Sequence, residues 1–211
     1  IVTLDPAQIN QVVQFQIMSN VLSGLMHINR DLVAEGDLAE GWEVSADGTQ
    51  YVFKLREGVT FHNGKAFGAD DVIESLNMHT AEGAKSAAKP IVGSITEMKK
   101  LSDHQIEFTL AAGNADFPFL LSDYHILMYP AGMTEEAIAQ GIGTGMYKVD
   151  AFDPGVRTVM SRVDSHYKDG SAGWFDSIEV IAINDSSARM NALMTGQVDA
   201  VNRVDTKIEA L

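Results

Sequence analysis

The 211-residue chain contains no cysteine. That excludes disulfides, zinc–thiolate centres and thiol nucleophiles. No run approaches the ~20 consecutive apolar residues that a membrane-crossing helix needs. Basic side chains are scarce: 15 Lys and Arg stand against 29 Asp and Glu, a formal net charge of -14. Phosphate backbones and anionic lipid surfaces are bound by clustered Lys and Arg, so nucleic acid and acidic membranes are not expected partners. The acidity reads as a solubilising surface. The six histidines (His27, His62, His79, His104, His125 and His166) include no close helical pair. With no D-x-D-x-D loop either, neither a metal site nor a cofactor is expected. No G-x-S-x-G elbow or comparable nucleophile motif occurs. A hydrolase using paired Asp or Glu would need a pair that the spacing does not single out, so the chain does not read as an enzyme. No basic-then-apolar segment opens it at Ile1. An exported protein would therefore be met here in a mature or trimmed form. Fixed-period repeats and low-complexity tracts are also missing.

What is present reads as an ordinary globular protein, with 45% hydrophobic and 21% charged residues. The length suffices for one or two domains with a sizeable core. The most informative stretch runs from Leu38 to Phe67. Trp42 and Val44 alternate with Glu43 and Ser45, and Tyr51, Phe53 and Leu55 alternate with Val52, Lys54 and Arg56. Period two predicts two half-buried strands. Asp47-Gly48 between them suits a tight hairpin turn, because Gly accepts positive φ and Asp bonds its own turn. A second turn at His62-Asn63-Gly64-Lys65 follows Val59 and Phe61, and a helix is predicted from about Ala69, with Val72, Ile73 and Leu76 on one face.

The order of these residues resembles the signature of the large extracytoplasmic solute-binding proteins that serve ABC importers of dipeptides, oligopeptides and nickel. The family run is roughly L-A-x-x-W-x-x-S-x-D-G-x-x-Y-x-F-x-L-R-x-x-V-x-F-H-x-G. Leu38, Ala39, Trp42, Ser45, Asp47, Gly48, Tyr51, Phe53, Leu55, Arg56, Val59, Phe61, His62 and Gly64 match it. Gly68 departs from the usual Thr before the acidic helix start, at a cost of only a few tenths of a kcal/mol. The likeness extends from about Leu4 to Val201, its motifs dispersed but in order.

Taken along the chain, Ile1 to Pro6 reads as a short strand ending in an Asp-Pro turn. Ile9, Val12, Val13, Ile17, Val21 and Leu22 predict a helix ending at Gly24, where Gly would serve as a C-cap. Asn20 to Leu25 is similar to the family's N-I-Y-E-G-L, with Ser23 in place of Glu. Leu25 to Glu35 predicts a short hairpin, and Ala81 to Pro90 a loop. Ile95 to Leu101 and Ile106 to Leu110 predict a second hairpin, and Phe117 to Leu121 a short apolar helix. Ile126 to Tyr129 is an apolar run ended by Pro130, read as a strand. Gly141 to Tyr147, GIGTGMY, is similar to the family's G-T-G-P-Y, with Met146 for Pro. It lacks the Lys-Ser/Thr of a P-loop and leads into an alternating strand, so close backbone approach is expected there and phosphate binding is not. Asp153-Pro154-Gly155 is a turn, with a partner strand at Val156 to Val163. Lys168 replaces the Trp of the family's N-x-x-Y-W-x-G. A strand at Trp174 to Ile183 precedes a helix capped by Asp185 and stopped by Gly196. With Gln197 to Ala200 as a further strand, a right-handed crossover in a mixed sheet is expected.

The resemblance implies an α/β fold: a periplasmic-binding-protein-like type II lobe with a mixed sheet and an inserted α+β subdomain. Residues 1–37 plus 146–211 would form the first, incomplete lobe, residues 38–145 the insertion, and a second large lobe would lie outside this chain. It implies capture of a peptide-like solute by lobe closure, for an ABC permease in the inner membrane. The compartment would be the periplasm, or the lipid-anchored extracytoplasmic face in a Gram-positive source. It implies a cleft wall at Ser23, Leu25, Tyr124 and His125, and no catalysis. Alternatives are a member specific for a metal chelate or another small solute, or a free-standing protein-interaction domain using an exposed strand edge. Surface exposed by truncation would favour self-association.

Overall fold

The structure, a computed structural model, describes residues 4–5 and 12–204. Of the strand expected at Ile1 to Pro6, only Leu4 and Asp5 lie within the described residues, and neither is in a strand. Helix α1 (Val12–Val21) carries Ile17, Met18 and Val21 into the core. It ends three residues before Gly24, so Gly24 is not its cap. Gly24 instead permits a close backbone crossing, because a Cβ there would meet the Ile126 carbonyl at 3.0 Å and the Met26 carbonyl at 3.1 Å.

The hairpin of β1 (Met26–Ile28) and β2 (Ala34–Gly36) follows as expected. Next come β3 (Ala39–Val44) and β4 (Gln50–Leu55), joined over Asp47-Gly48 with Gly48 at φ +68°. The Asp47 carboxylate accepts from the Thr49 amide at 3.2 Å and the Ser45 hydroxyl at 2.6 Å, which closes the turn. Helix α2 (Ala69–Thr80) starts where predicted. Its first turn is closed by the Asp71 carboxylate accepting from the Gly68 amide at 2.8 Å. A single turn, α3 (Lys89–Val92), emerges at the end of the expected loop. The hairpin β5 (Ile95–Ser102) and β6 (Gln105–Leu110) completes a four-stranded antiparallel sheet of order β3-β4-β6-β5. Register places Phe53 between Trp42 and Ile106, and Tyr51 between Val44 and Phe108. One sheet face is therefore a row of aromatic and aliphatic side chains, closed by Phe117 of α4 (Phe117–Leu120).

The run at Ile126 to Tyr129 is not a strand. Its backbone is held by single bonds, such as the Met128 amide donating to the Ser23 carbonyl at 3.0 Å, and Ile126, Met128 and Tyr129 are buried. Pro130 removes a donor just where a ladder would continue. Helix α5 (Thr134–Gln140), unexpected from the sequence, ends at Gly141 with φ +68°. A second sheet, β7 (Tyr147–Asp153), β8 (Arg157–Arg162) and β9 (Ser177–Ile181), is antiparallel in order β7-β8-β9. Last comes α6 (Ser186–Met194), whose N-cap Asp185 accepts from the Ala188 amide at 2.7 Å.

The expected strand at Gln197 to Ala200, and with it the right-handed crossover, is a correction: that segment is not a strand, and among the described residues every strand pair is antiparallel. A parallel strand needs a neighbour to bond, and among the described residues β9 has none on its outer side. One hydrophobic core runs from Leu4 and α1 through β4 and β6 to Tyr147 and Met160.

Candidate functional site

Two segments that are distant in sequence lie side by side at the end of α1. Residues 23–25 run against residues 124–128 through the Met128–Ser23 bond and the Gly24–Ile126 crossing. The structure thus brings together the segments that carry the four expected cleft residues. Their side chains differ. Leu25 is fully buried, and Ser23 and His125 are 4% and 5% exposed, whereas Tyr124 is 45% exposed. Tyr124 lies over the His125 ring at 4.0 Å, and Phe15 of α1, also exposed, meets it edge-on at 5.6 Å. His125 is held from below, with its Nδ1 2.7 Å from the Asp123 carboxylate. An amphipathic aromatic pair is therefore presented to solvent on a supported base. Phe15 was not anticipated, because an apolar residue in a helical pattern reads as core.

Behind this surface lies a buried polar network. Asp37 is 6% exposed. Its carboxylate accepts from the Tyr167 hydroxyl at 2.6 Å and pairs with the Lys168 ammonium at 2.7 Å. The phenol has one proton and gives it to the carboxylate, so the Ser23 hydroxyl, 3.1 Å away, donates to the phenol oxygen. Arg56 lies over the Tyr167 ring at 4.8 Å and donates to the Asp37 carbonyl at 3.1 Å. Burial, and then the Asp37 charge, hold the Tyr167 phenol well above its ordinary range, so it stays a donor. Lys168, where the family has Trp, supplies this network's ammonium. Its one sequence-level trace was that departure.

The Gly-rich loop is clamped by two histidines. Gly143 and Gly145 cross α1 so closely that a Cβ would fall 2.1 Å from the Val21 carbonyl or 2.2 Å from the Asn20 carbonyl. Close approach is the expected role of this loop. His62 Nδ1 accepts from the Gly143 amide at 3.3 Å, so its proton is on Nε2, which donates to the Gly145 carbonyl at 2.8 Å. His166 repeats the device: Nδ1 accepts from the Lys168 amide at 3.1 Å and Nε2 donates to the Thr144 carbonyl at 2.9 Å. Burial lowers the pKa of both imidazoles. No group of three or more His, Asp or Glu among the described residues is placed to hold a metal.

This arrangement can present and orient a ligand. Residues 34–211 match the family described as bacterial extracellular solute-binding proteins, family 5, middle. The chain belongs to that family. The dipeptide-binding protein of Escherichia coli (strain K12) is 30% identical over 186 residues, 76% of this chain and 34% of that protein. AgaA from A. tumefacien R10, a periplasmic binding protein solved with agropinic acid, superposes with a TM-score of 0.86 at 24% identity. The superposition covers 93% of this chain and 40% of AgaA. NikZ from Campylobacter jejuni, solved with Ni(L-His), gives a TM-score of 0.82 at 25% identity, over 94% of this chain and 40% of NikZ. The α/β lobe of family 5 is therefore the fold here, over about a third to two-fifths of the length of these relatives.

Proposed function

We propose that this chain is part of the solute-capturing component of an ABC importer and takes a peptide-like solute. The observation that carries this is the family 5 match over residues 34–211, supported by the relative named for dipeptide binding. Residues 1–37 plus 146–211 act as one lobe and residues 38–145 as its inserted subdomain, with the opposing lobe supplied by sequence outside these 211 residues. Closure of the two lobes by hinge motion buries the solute, with no covalent chemistry. Ser23, Leu25, Tyr124 and His125 form one wall. Tyr124 is the member that touches solute, and the other three set its position. The protein works outside the cytoplasm, periplasmic or lipid-anchored. Among the described residues no helix is long and apolar enough to cross a membrane. Exposed Trp174, Phe175 and Met194 give the isolated chain a surface for self-association.

The likeness to NikZ supports a second reading, a metal chelate as solute. Calorimetry with di- and tripeptides and with nickel–histidine, on this chain and on the full-length protein, separates the two. The expected result is micromolar peptide binding by the full-length protein, weakened about tenfold by Tyr124→Ala. This chain alone would bind about a hundredfold or more weaker, because a lost buried charge contact costs about 2–5 kcal/mol. Equal, tight binding by both would place the whole site within these residues. Heat from nickel–histidine alone would favour the chelate.

A further inference from the structure

A second feature of this chain that could hold a ligand, on the outer edge of the four-stranded sheet, is lined by none of Ser23, Leu25, Tyr124 and His125. Among the described residues, β3 is an edge strand, bonded to β4 on one side only. The Ser45 amide donates to the Gln50 carbonyl at 2.9 Å. Counting back by two, Glu43 and Gly41 are the residues bonded across to β4, opposite Val52 and Lys54. Trp42 and Val44 must then point their amides and carbonyls away from β4, toward the unpaired side. Their side chains lie on the same sheet face as Phe53 and Tyr51. They remain 38% and 53% exposed. Beside them is a groove of about 460 Å³, walled also by Val33 and Ala34 of the β1–β2 hairpin and by Phe119. Asp116 is the one charged residue among the described residues that line it. Glu43 and Asp47 are exposed in the same strand and turn, and among the described residues neither Lys nor Arg lines the groove.

We propose that the β3 edge docks an extended segment of a partner protein, with apolar side chains at alternate positions and Lys or Arg beside them. Two features on one strand match that ligand. The outward amides and carbonyls of Trp42 and Val44 offer the main-chain bonds of an added strand, and the groove takes every second side chain. Charge complementarity selects the flanks: an acidic rim on a chain of net charge -14 attracts a basic segment. The same charge opposes a second copy of this chain as occupant, since that would bring Glu43 and Asp47 against their own kind. This inference does not depend on the solute site and stands or falls separately from it.

The test uses a seven-residue synthetic peptide with lysine at both ends and valine alternating with threonine between them. The chain has two tryptophans. In a Trp174→Phe background, Trp42 fluorescence therefore reports the edge alone. The expected result is a saturable blue shift with a Kd on the order of 100 μM. It should be abolished when the peptide is N-methylated along the edge that meets β3. Val44→Pro removes an outward amide without breaking the β4 ladder, and should weaken binding at least tenfold with an unchanged far-ultraviolet circular dichroism spectrum. Phe119→Ser, at an exposed groove wall, should weaken it as well. If Val44→Pro does not fold, the N-methylated peptide on the parent chain decides the matter. Equal binding by the N-methylated peptide, no saturable shift up to millimolar peptide, or a parent-chain dimer that Val44→Pro dissolves would each overturn the proposal.

Discussion

The four-stranded and three-stranded sheets are both antiparallel and of similar strand length, but they differ in how much apolar surface they hide. In β4 and β6, every second residue is buried: Tyr51, Phe53 and Leu55 on one strand, Ile106, Phe108 and Leu110 on the other. In β9 no residue is buried, and α6 buries only Ala192. Trp174, Phe175 and Met194 are 73%, 69% and 68% exposed. Each large apolar side chain moved from water into a core contributes about 1.5–3 kcal/mol. The first sheet collects that contribution at six positions on these two strands and the second at few. Period-two patterning therefore makes a strand in both places, while the covering layer decides which strand stabilises the fold. The two regions are joined by the Gly143–Gly145 crossing, the histidine clamps and the Asp37–Tyr167–Lys168 network.

The largest test of this contrast is Phe53→Ala. Phe53 is fully buried against Trp42, Tyr51, Phe108 and Phe117. The substitution should cost about 3–5 kcal/mol in urea unfolding. A loss below about 1 kcal/mol would mean that the first sheet is not the stability centre.

Gly143→Ala tests the joint. Its Cβ would collide with the Val21 backbone, which cannot rotate away as a side chain can. A loss of about 3 kcal/mol is expected. Unchanged stability would show that the loop stands off α1.

Tyr167→Phe keeps the ring but removes the donor to a buried carboxylate. The expected cost is about 2 kcal/mol, with amide exchange speeding up in β7–β9 more than in β4 and β6. Uniform acceleration in both sheets would dissolve the distinction between them.

Acid acts on the same joint. His62 and His166 have pKa values below the ordinary 6.5, chiefly through burial. The unfolded chain then takes up protons at a higher pH than the folded chain does. Stability from these groups is complete above about pH 6.5 and is lost as pH falls below it. Thermal midpoints measured from pH 7.5 to 5.5 should fall, and the slope should flatten in His62→Gln with His166→Gln. An identical slope in that double variant would assign the acid response elsewhere, for instance to His79, which burial shifts the same way.

The smallest effect is expected at the second sheet's exposed helix. Met194→Ala should change stability by no more than about 0.5 kcal/mol. A loss of 2 kcal/mol or more would mean that α6 is covered in solution, by self-association or otherwise.

Much of the fold was legible in local pattern. Asp47-Gly48, the alternation of Tyr51, Phe53 and Leu55, the α2 start after Gly68 and the Asp185 cap all appear where short-range sterics and hydrogen bonding put them. Ile126 to Tyr129 was misread because an apolar run shows that a segment is buried, not that it has a neighbour to pair with. Lys89–Val92 and Thr134–Gln140 are too short for a helical period to show. In the candidate site, the segments were legible through family resemblance, but the division of labour within them was not. Exposed Tyr124 and buried Ser23, Leu25 and His125 look equivalent in a string.

By itself, then, the sequence determined most of the strands, turns and caps, whose energetics are set within a few residues, and the family, which is set by dispersed identities. Only the tertiary structure decided that Asp37 meets a tyrosine 130 residues away, and that His62 closes on a carbonyl 83 residues on. It also decided that Trp42 stays 38% exposed on an edge strand whose neighbour is core. Those outcomes depend on which surfaces meet after the chain has closed long loops, a long-range choice that no window of local periodicity contains.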